Sequence, residues 1–307
     1  MRFLLVHPAF LGDTVFLGPA VRALKARWPG SEVGVVVAPR GAAGARGLPG
    51  VDEVFVFDKR RADAGLRGIL RLGARLRAFA PDVALVSHPS ARSGSVAWLS
   101  RAPRRIGYAP LCNDRVVLDR GRPFVERSLA LVARAGAPAE DRGLALDPPP
   151  ELAAYAREVL RGSGRPVIGI VPGAEWATKR WGEERYAELA ERLASGGATL
   201  LLLGGPDERE MARAIAARCG ASAIDTTGNS IPEAIALLAR CDLVVGGDTG
   251  LVHCARALGR PTVLLFGPTD PARHVLAERE RVVRVDLECS PCHDHGPVRC
   301  PLGHHKC

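Results

Sequence analysis

No stretch of the 307-residue chain reaches the roughly 18 consecutive apolar residues that a membrane-spanning helix requires. The apolar start, Phe3-Leu-Leu-Val6, is broken by His7, Pro8 and Asp13 and is followed by no convincing cleavage site, so it does not read as a signal peptide. The chain lacks Gly-x-x-x-x-Gly-Lys-Ser/Thr, and no Gly-x-Gly-x-x-Gly follows the first apolar run, which weakens ATPase and dehydrogenase readings. Glycine and proline occur as single punctuators and not as repeats, which excludes fibrous and low-complexity classes. No basic stretch is interleaved with aromatics and no nucleic-acid motif is present. That counts against a zinc-dependent nucleic-acid-binding protein, a class otherwise raised by the basic charge balance and the cysteine-rich tail.

What is present describes a well-buried globular protein: 47% hydrophobic and 24% charged residues. The length suits two cores of about 150 residues each. Four of the eight cysteines are scattered, which fits a reducing compartment, and the chain is expected to be cytoplasmic. The net charge of +9 is uneven: residues 1–150 carry 23 Lys/Arg against 13 Asp/Glu, and residues 151–307 carry 19 against 20. A basic N-terminal half points to an acidic partner, the alternative being a solvated arginine-rich surface.

Short runs rich in Val, Ile and Leu recur at Phe3–Val6, Val33–Val37, Val54–Phe57, Val83–Val86, Val167–Val171, Thr199–Leu203, Leu243–Val245 and Thr262–Phe266. Their lack of polar alternation is expected of strands buried on both faces. Helical patterns lie between them, and strand alternating with helix predicts doubly wound parallel α/β sheets. The alternation halts at Asp147-Pro-Pro-Pro150, which divides the chain into domains 1–150 and 151–307. Two such units are expected to face each other across a cleft, with ligands beyond the carboxyl ends of the strands.

Four post-strand loops stand out, His7–Thr14, Pro172–Trp181, Gly204–Glu210 and Gly246–His253, and three of them carry chemistry that can be argued from their residues. Gly246-Gly-Asp-Thr-Gly-Leu-Val-His253 enters a helix whose exposed N–H groups suit a phosphate, unless Asp248 or Thr249 merely caps that helix. Pro172-Gly-Ala-Glu-Trp-Ala-Thr-Lys-Arg-Trp-Gly182 places Lys179 and Arg180 where cations meet an anion held at the Gly250 helix start, with packing tryptophans and solvated cations as the alternative. Together these loops suit a nucleoside diphosphate. In the third loop, Asp13 lies between the first strand and first helix, either as a helix cap or as a base that takes a proton from an attacking hydroxyl.

Six segments in order resemble the ADP-heptose:lipopolysaccharide heptosyltransferases of glycosyltransferase family nine, particularly the heptosyltransferase II branch. They are Leu11-Gly-Asp-Thr14, Pro103-Arg-Arg-Ile-Gly-Tyr108, Cys112-Asn-Asp-Arg115, Pro172-Gly-Ala-Glu175 with Lys179-Arg-Trp181, Gly247-Asp-Thr-Gly-Leu-Val-His253, and Leu265-Phe-Gly-Pro-Thr-Asp-Pro271. The resemblance implies a GT-B fold with an N-terminal acceptor-binding domain and a C-terminal domain for the nucleotide-sugar donor ADP-heptose. It implies inverting transfer of heptose to the inner core of a lipopolysaccharide precursor, with no cofactor and no catalytic metal. Asp13 matches the proposed catalytic base, Lys179 the cation on the diphosphate, assisted by Arg180, and Asp248, Thr249, Gly250 and His253 the donor loop. Glu208 or Glu210 is matched to a carboxylate on the nucleoside. An acidic acceptor on a membrane surface accounts for the basic domain, with Arg92, Arg104, Arg105 and Arg115 as acceptor-binding candidates and peripheral association with the inner membrane expected. The alternative is another GT-B enzyme with a different nucleotide sugar, either a transferase or an epimerase.

The tail holds Cys289, Cys292, Cys300 and Cys307 in a Cys-x2-Cys-x7-Cys-x6-Cys spacing with interspersed histidines. Its soft-ligand density suits zinc, with disulfides and free thiols as alternatives.

Overall fold

A computed structural model describes residues 1–307. The chain forms two units: Met1–Asp147 with Arg273–Val275, and Pro148–Ala272 with Leu276–Cys307. The division falls inside the Asp147-Pro-Pro-Pro150 run.

The first unit contains strands β1 (Arg2–Val6), β2 (Glu32–Val37), β3 (Glu53–Val56), β4 (Val83–Val86), β5 (Arg104–Gly107) and β6 (Asp114–Arg115). Its helices are α1 (Leu11–Val15), α2 (Gly18–Arg27), α3 (Ala42–Arg46), α4 (Gly65–Phe79), α5 (Ala91–Leu99) and α6 (Phe124–Ala135). The six strands lie in the order β3-β2-β1-β4-β5-β6, and every pairing is parallel. Leu4 and Val6 on β1 and Ala84 and Val86 on β4 share a core with Leu72, Leu76 and Phe79 of α4.

The second unit contains β7 (Val167–Val171), β8 (Thr199–Leu202), β9 (Ala223–Asp225), β10 (Leu243–Gly247), β11 (Thr262–Phe266) and β12 (Glu280–Arg284). Its helices are α7 (Ala153–Val159), α8 (Glu183–Ser195), α9 (Arg209–Cys219), α10 (Ile231–Leu238) and α11 (Gly250–Ala257). The order β12-β11-β10-β7-β8-β9, again all parallel, repeats the topology of the first unit. Tyr186, Ala187 and Ala190 of α8 pack on Ile168, Ile170, Leu200 and Leu202 of the sheet. Glu183 and Glu184 in the first turn of α8 and Arg192 in its last turn complement the helix dipole.

The eight strands expected from Val-rich runs form with shifts of a residue or two at their ends, whereas β5, β6, β9 and β12 escape that pattern. β5 opens on two arginines, and β12 is a charged edge strand with only Glu280 buried. Edge strands that are short and charged resist aggregation, and the same trait hides them from a hydrophobicity reading. Helix α5 carries Ser and Gly, which weaken its helical pattern. The Ser90 hydroxyl starts it by accepting the Ser93 N–H at 3.2 Å, and Gly94 lets it lie directly on the Pro110 carbonyl.

At the carboxyl end of β1, His7 contacts the Ser87 hydroxyl through Nδ1 at 2.7 Å, and its Nε2 is sealed from solvent without a partner. Burial, and then the Arg127 charge, push this imidazole down to about 4. The unfolded chain, with an ordinary histidine near 6.5, therefore takes up a proton that the folded chain refuses as pH falls from 6.5 towards 4. Stability should drop by about 2 kcal/mol more between pH 7 and pH 5 in the native protein than in His7→Asn, as read by urea unfolding. Equal pH dependence in the two proteins would show that His7 is not held neutral.

Candidate active site

In each sheet the chain travels outward in one direction from the first central strand and in the opposite direction from the second. The loops leaving β1 and β4, and likewise β7 and β10, therefore diverge, and a crevice opens at their carboxyl ends. The loop after β7 carries Lys179 and Arg180, and the loop after β10 carries Asp248 and Thr249. Gly246 makes the second turn possible: a Cβ there would stand 2.8 Å from the Val171 carbonyl oxygen of β7.

Asp248 is the hub of the second unit's site. Its Oδ2 meets Lys179 Nζ at 2.5 Å and accepts the Thr269 hydroxyl at 2.9 Å, and its Oδ1 meets His253 Nε2 at 2.9 Å. Arg256, which can only donate, lies 3.3 Å from His253 Nδ1, so Nδ1 is the acceptor and Nε2 carries the proton given to Asp248. Arg256 is fixed in turn by Glu280 at 2.9 Å, a pair whose side chains are 1% and 5% exposed. His253 is itself buried, so it orients Asp248 from behind and does not line the crevice.

Neither alternative for this loop as a simple cap is realised. Thr249 occupies the N-cap position of α11 but makes no side-chain cap bond, and the Asp248 carboxylate is turned to Lys179, His253 and Thr269. The first-turn N–H groups of α11 thus keep their capacity for an anion beside the Lys179 ammonium. Lys179 has three N–H donors, of which the contact with Asp248 engages one.

Arg180 donates from Nε to the Ala174 carbonyl at 3.1 Å and lies 3.7 Å from Glu208. Glu208, and not the exposed Glu210, is the built-in carboxylate of its loop. It accepts the Gly205 N–H at 2.8 Å and packs against Gly173, where a Cβ would collide with its side chain. Trp181 serves packing, edge-on to Tyr186 with ring centroids 5.1 Å apart. The sequence reading missed Thr269, Arg256 and Glu280. Thr269 lies in the Leu265–Pro271 segment already singled out for its resemblance, but the other two sit on α11 and β12 with no local mark of function.

In the first unit Asp13 is half-buried in the first turn of α1 and accepts the Phe10 N–H through Oδ2 at 3.3 Å. It belongs to α1, a short helix not anticipated ahead of α2, and it closes the turn from the third helical position and not as the N-cap. Arg92 is exposed in the first turn of α5, beyond the carboxyl end of β4, and Arg115 is exposed at the end of β6 opposite Gly107. Both share the Asp13 end of the sheet. Arg104 and Arg105 instead begin β5, at the opposite end, and are committed to the fold. Arg104 binds Asp114 at 2.9 Å and the Arg134 carbonyl at 2.8 Å, while Arg105 binds the Ala102 and Leu111 carbonyls at 2.7 and 3.0 Å.

Residues 69–300 match the model of glycosyltransferase family 9 (heptosyltransferase). The chain is 31% identical to lipopolysaccharide heptosyltransferase 2 of Salmonella typhimurium, an alignment covering 93% of this chain and 88% of that protein. The structure of Escherichia coli ADP-heptose lipopolysaccharide heptosyltransferase II superposes with a TM-score of 0.79 at 29% identity, covering 93% of this chain and 91% of that one. A glycosyltransferase family 9 structure from Veillonella parvula superposes with a TM-score of 0.87 at 24% identity, covering 93% and 88%. The two six-stranded sheets are those of the GT-B heptosyltransferase structures. By sequence and by fold, then, this chain belongs to glycosyltransferase family 9, the heptosyltransferases.

Proposed function

We propose that the protein transfers heptose from ADP-heptose to the acidic inner core of a lipopolysaccharide precursor, with inversion at the anomeric carbon and without a metal at the reaction centre. The observation that carries this reading is the Lys179–Asp248 pair beside the uncapped start of α11 at the switch point of the second sheet. The diphosphate of the donor takes the remaining N–H donors of Lys179 and the N–H groups of Gly250 and its neighbours, and Glu208 serves the nucleoside. As the glycosidic bond to the diphosphate breaks, negative charge grows on the departing phosphate. Lys179, assisted by Arg180, and the helix dipole stabilise that charge from positions fixed in advance.

Asp13 accepts the proton of the attacking acceptor hydroxyl as the new bond forms on the opposite face of the sugar. Its bond to the Phe10 N–H involves one oxygen and sets the orientation of the carboxylate. Arg92 and Arg115, exposed at the Asp13 end of their sheet, are the cations offered to the acceptor's acidic groups. The basic half of the chain also favours peripheral association with an anionic inner-membrane surface, each basic residue near it contributing about 1 kcal/mol.

Mass spectrometry of a defined core acceptor incubated with ADP-heptose should show one added heptose; transfer from a different nucleotide sugar alone would overturn the donor assignment. Asp13→Asn keeps the shape and the acceptor atom for Phe10, so ADP-heptose binding should persist while kcat falls by about 10²- to 10⁴-fold. Undiminished turnover would leave Asp13 with its turn-closing role only. Lys179→Ala removes a charged donor from the diphosphate and should weaken ADP binding by about 10- to 100-fold in titration calorimetry. An unaltered Kd would reject the placement of the diphosphate.

A further inference from the structure

Helix α4 has one face in the core of the first unit and another that the unit does not cover. Gly68, Leu72, Gly73, Leu76 and Phe79 are buried. On the outer side Leu66, Leu70, Ala74 and Ala78 recur at every fourth residue, and all four are exposed. Leu66 and Leu70 are 73% and 48% exposed, a large apolar area to leave in water on adjacent turns. Arg67, Arg71 and Arg75 form a second exposed row directly beside the first, with the same spacing.

The charge on this face works against the helix that carries it. Cations four residues apart repel one another, and Arg67 in the first turn opposes the helix dipole, with no acidic side chain in that turn. The turn leading into α4 adds Lys59, Arg60 and Arg61, all exposed, so residues 59–77 carry seven basic side chains against one acidic. The nearby carboxylates do not compensate, because the backbone uses them. Asp63 is 7% exposed and accepts the Asp58 N–H through Oδ2 at 2.8 Å. Asp58 Oδ1 accepts the N–H groups of Arg60 and Arg61 at 3.2 and 3.1 Å.

Three of the arginines also serve the fold. Arg71 donates to the Ala62 carbonyl, Arg75 lies over the Phe55 ring, and Arg77 donates to the Leu99 carbonyl at 3.3 Å. Lys59, Arg60, Arg61 and Arg67 remain to meet an anionic partner outside the chain. The leucines decide which kind. Nucleic acid or an acidic peptide would leave Leu66 and Leu70 against phosphates, carboxylates or water. A bilayer takes leucines into the boundary between headgroups and acyl chains while arginines and lysines stay with the lipid phosphates.

The face is also placed for such a partner. Strand β3 ends at Val56 and α4 begins at Gly65, so the cationic turn and the start of α4 lie at the carboxyl end of the first sheet, the end that carries Asp13 and Arg92. We infer that the Lys59–Arg61 turn and the outer side of the first two turns of α4 are the surface by which this protein docks on an anionic bilayer, with Leu66 and Leu70 set into it. Resting on the proposed transfer to a membrane-borne acceptor, this docking holds the bilayer at the end of the sheet where Asp13 meets that acceptor.

Sedimentation of the full chain with lipid vesicles, without ADP-heptose or acceptor, tests the face directly. Vesicles of phosphatidylcholine with about 30% phosphatidylglycerol should bind at least about 10-fold more tightly than phosphatidylcholine alone, and the difference should vanish at about 0.5 M salt. Arg60→Glu with Arg67→Glu should weaken binding by about 20-fold or more, and Leu66→Ser with Leu70→Ser by about 10-fold. Arg192→Glu with Arg213→Glu, an equal charge change at exposed positions of the second unit, should leave it within about 2-fold. Native-like binding by both first-unit variants overturns the docking face, as does an equal loss in the second-unit control. Retention on duplex DNA without vesicle binding also overturns it. Heptose transfer to a soluble acceptor by a chain that ignores vesicles would sink the docking face and leave the proposed reaction standing. Vesicle binding lost in the two first-unit variants supports the face even where no heptose is transferred.

Discussion

The second unit depends on one carboxylate, that of Asp248, being held at both oxygens. Lys179 and Thr269 take Oδ2, and His253 takes Oδ1. The side chains of Asp248 and Lys179 are only 10% and 12% exposed, so removal of either would strand a nearly buried charge at a cost of about 3–5 kcal/mol. That is a large fraction of the stability of an ordinary domain, which makes the pair a structural commitment. Behind it, Arg256 and Glu280, with side chains 1% and 5% exposed, hold the His253 ring that meets Asp248 Oδ1. The ammonium of Lys179 is consequently aimed before any ligand arrives.

Topology explains why this hub sits where it does. Both sheets run outward in opposite directions from a central pair of strands, β1 with β4 and β7 with β10. In a parallel sheet of this order the crossover helices leave the two central loops uncovered at the carboxyl ends, so polar residues placed there need no burial elsewhere. Asp13 and His7 follow β1, Ser87 and Arg92 follow β4, Lys179 follows β7 and Asp248 follows β10. The same geometric rule thus places these polar side chains in the corresponding loops of each unit, while the apolar strands beneath keep the loop ends at fixed spacing.

The same rule sets what could be read from the chain alone. Val-rich runs followed by glycine and charge mark the loops after β7 and β10, because a buried strand and a charged, glycine-bearing turn have opposite compositions. Arg104 and Arg105 could not be sorted this way: an arginine looks alike at either end of a strand, and only the pairing of Arg104 with Val83 puts it at the end away from Asp13. Arg256 and Glu280 were invisible for a related reason. Their value lies in meeting each other across 24 residues, and nothing local distinguishes a buried arginine on α11 from a solvated one. Asp13 was legible as a turn residue, but α1 was not, since a five-residue helix carries too little periodicity to be recognised.

A lysine is a poor choice for a fixed charge unless its stem is restrained, because its four-carbon chain loses substantial rotamer entropy when ordered. Here the ordering is done before binding and from three sides. Asp248 fixes the ammonium, Thr178 is bonded on both its hydroxyl and its carbonyl, and the Gly296 backbone lies along the stem. Two of those three restraints come from a tail that has no apolar core of its own. The position of the loop that carries Lys179 therefore depends in part on these hydrogen bonds to the tail.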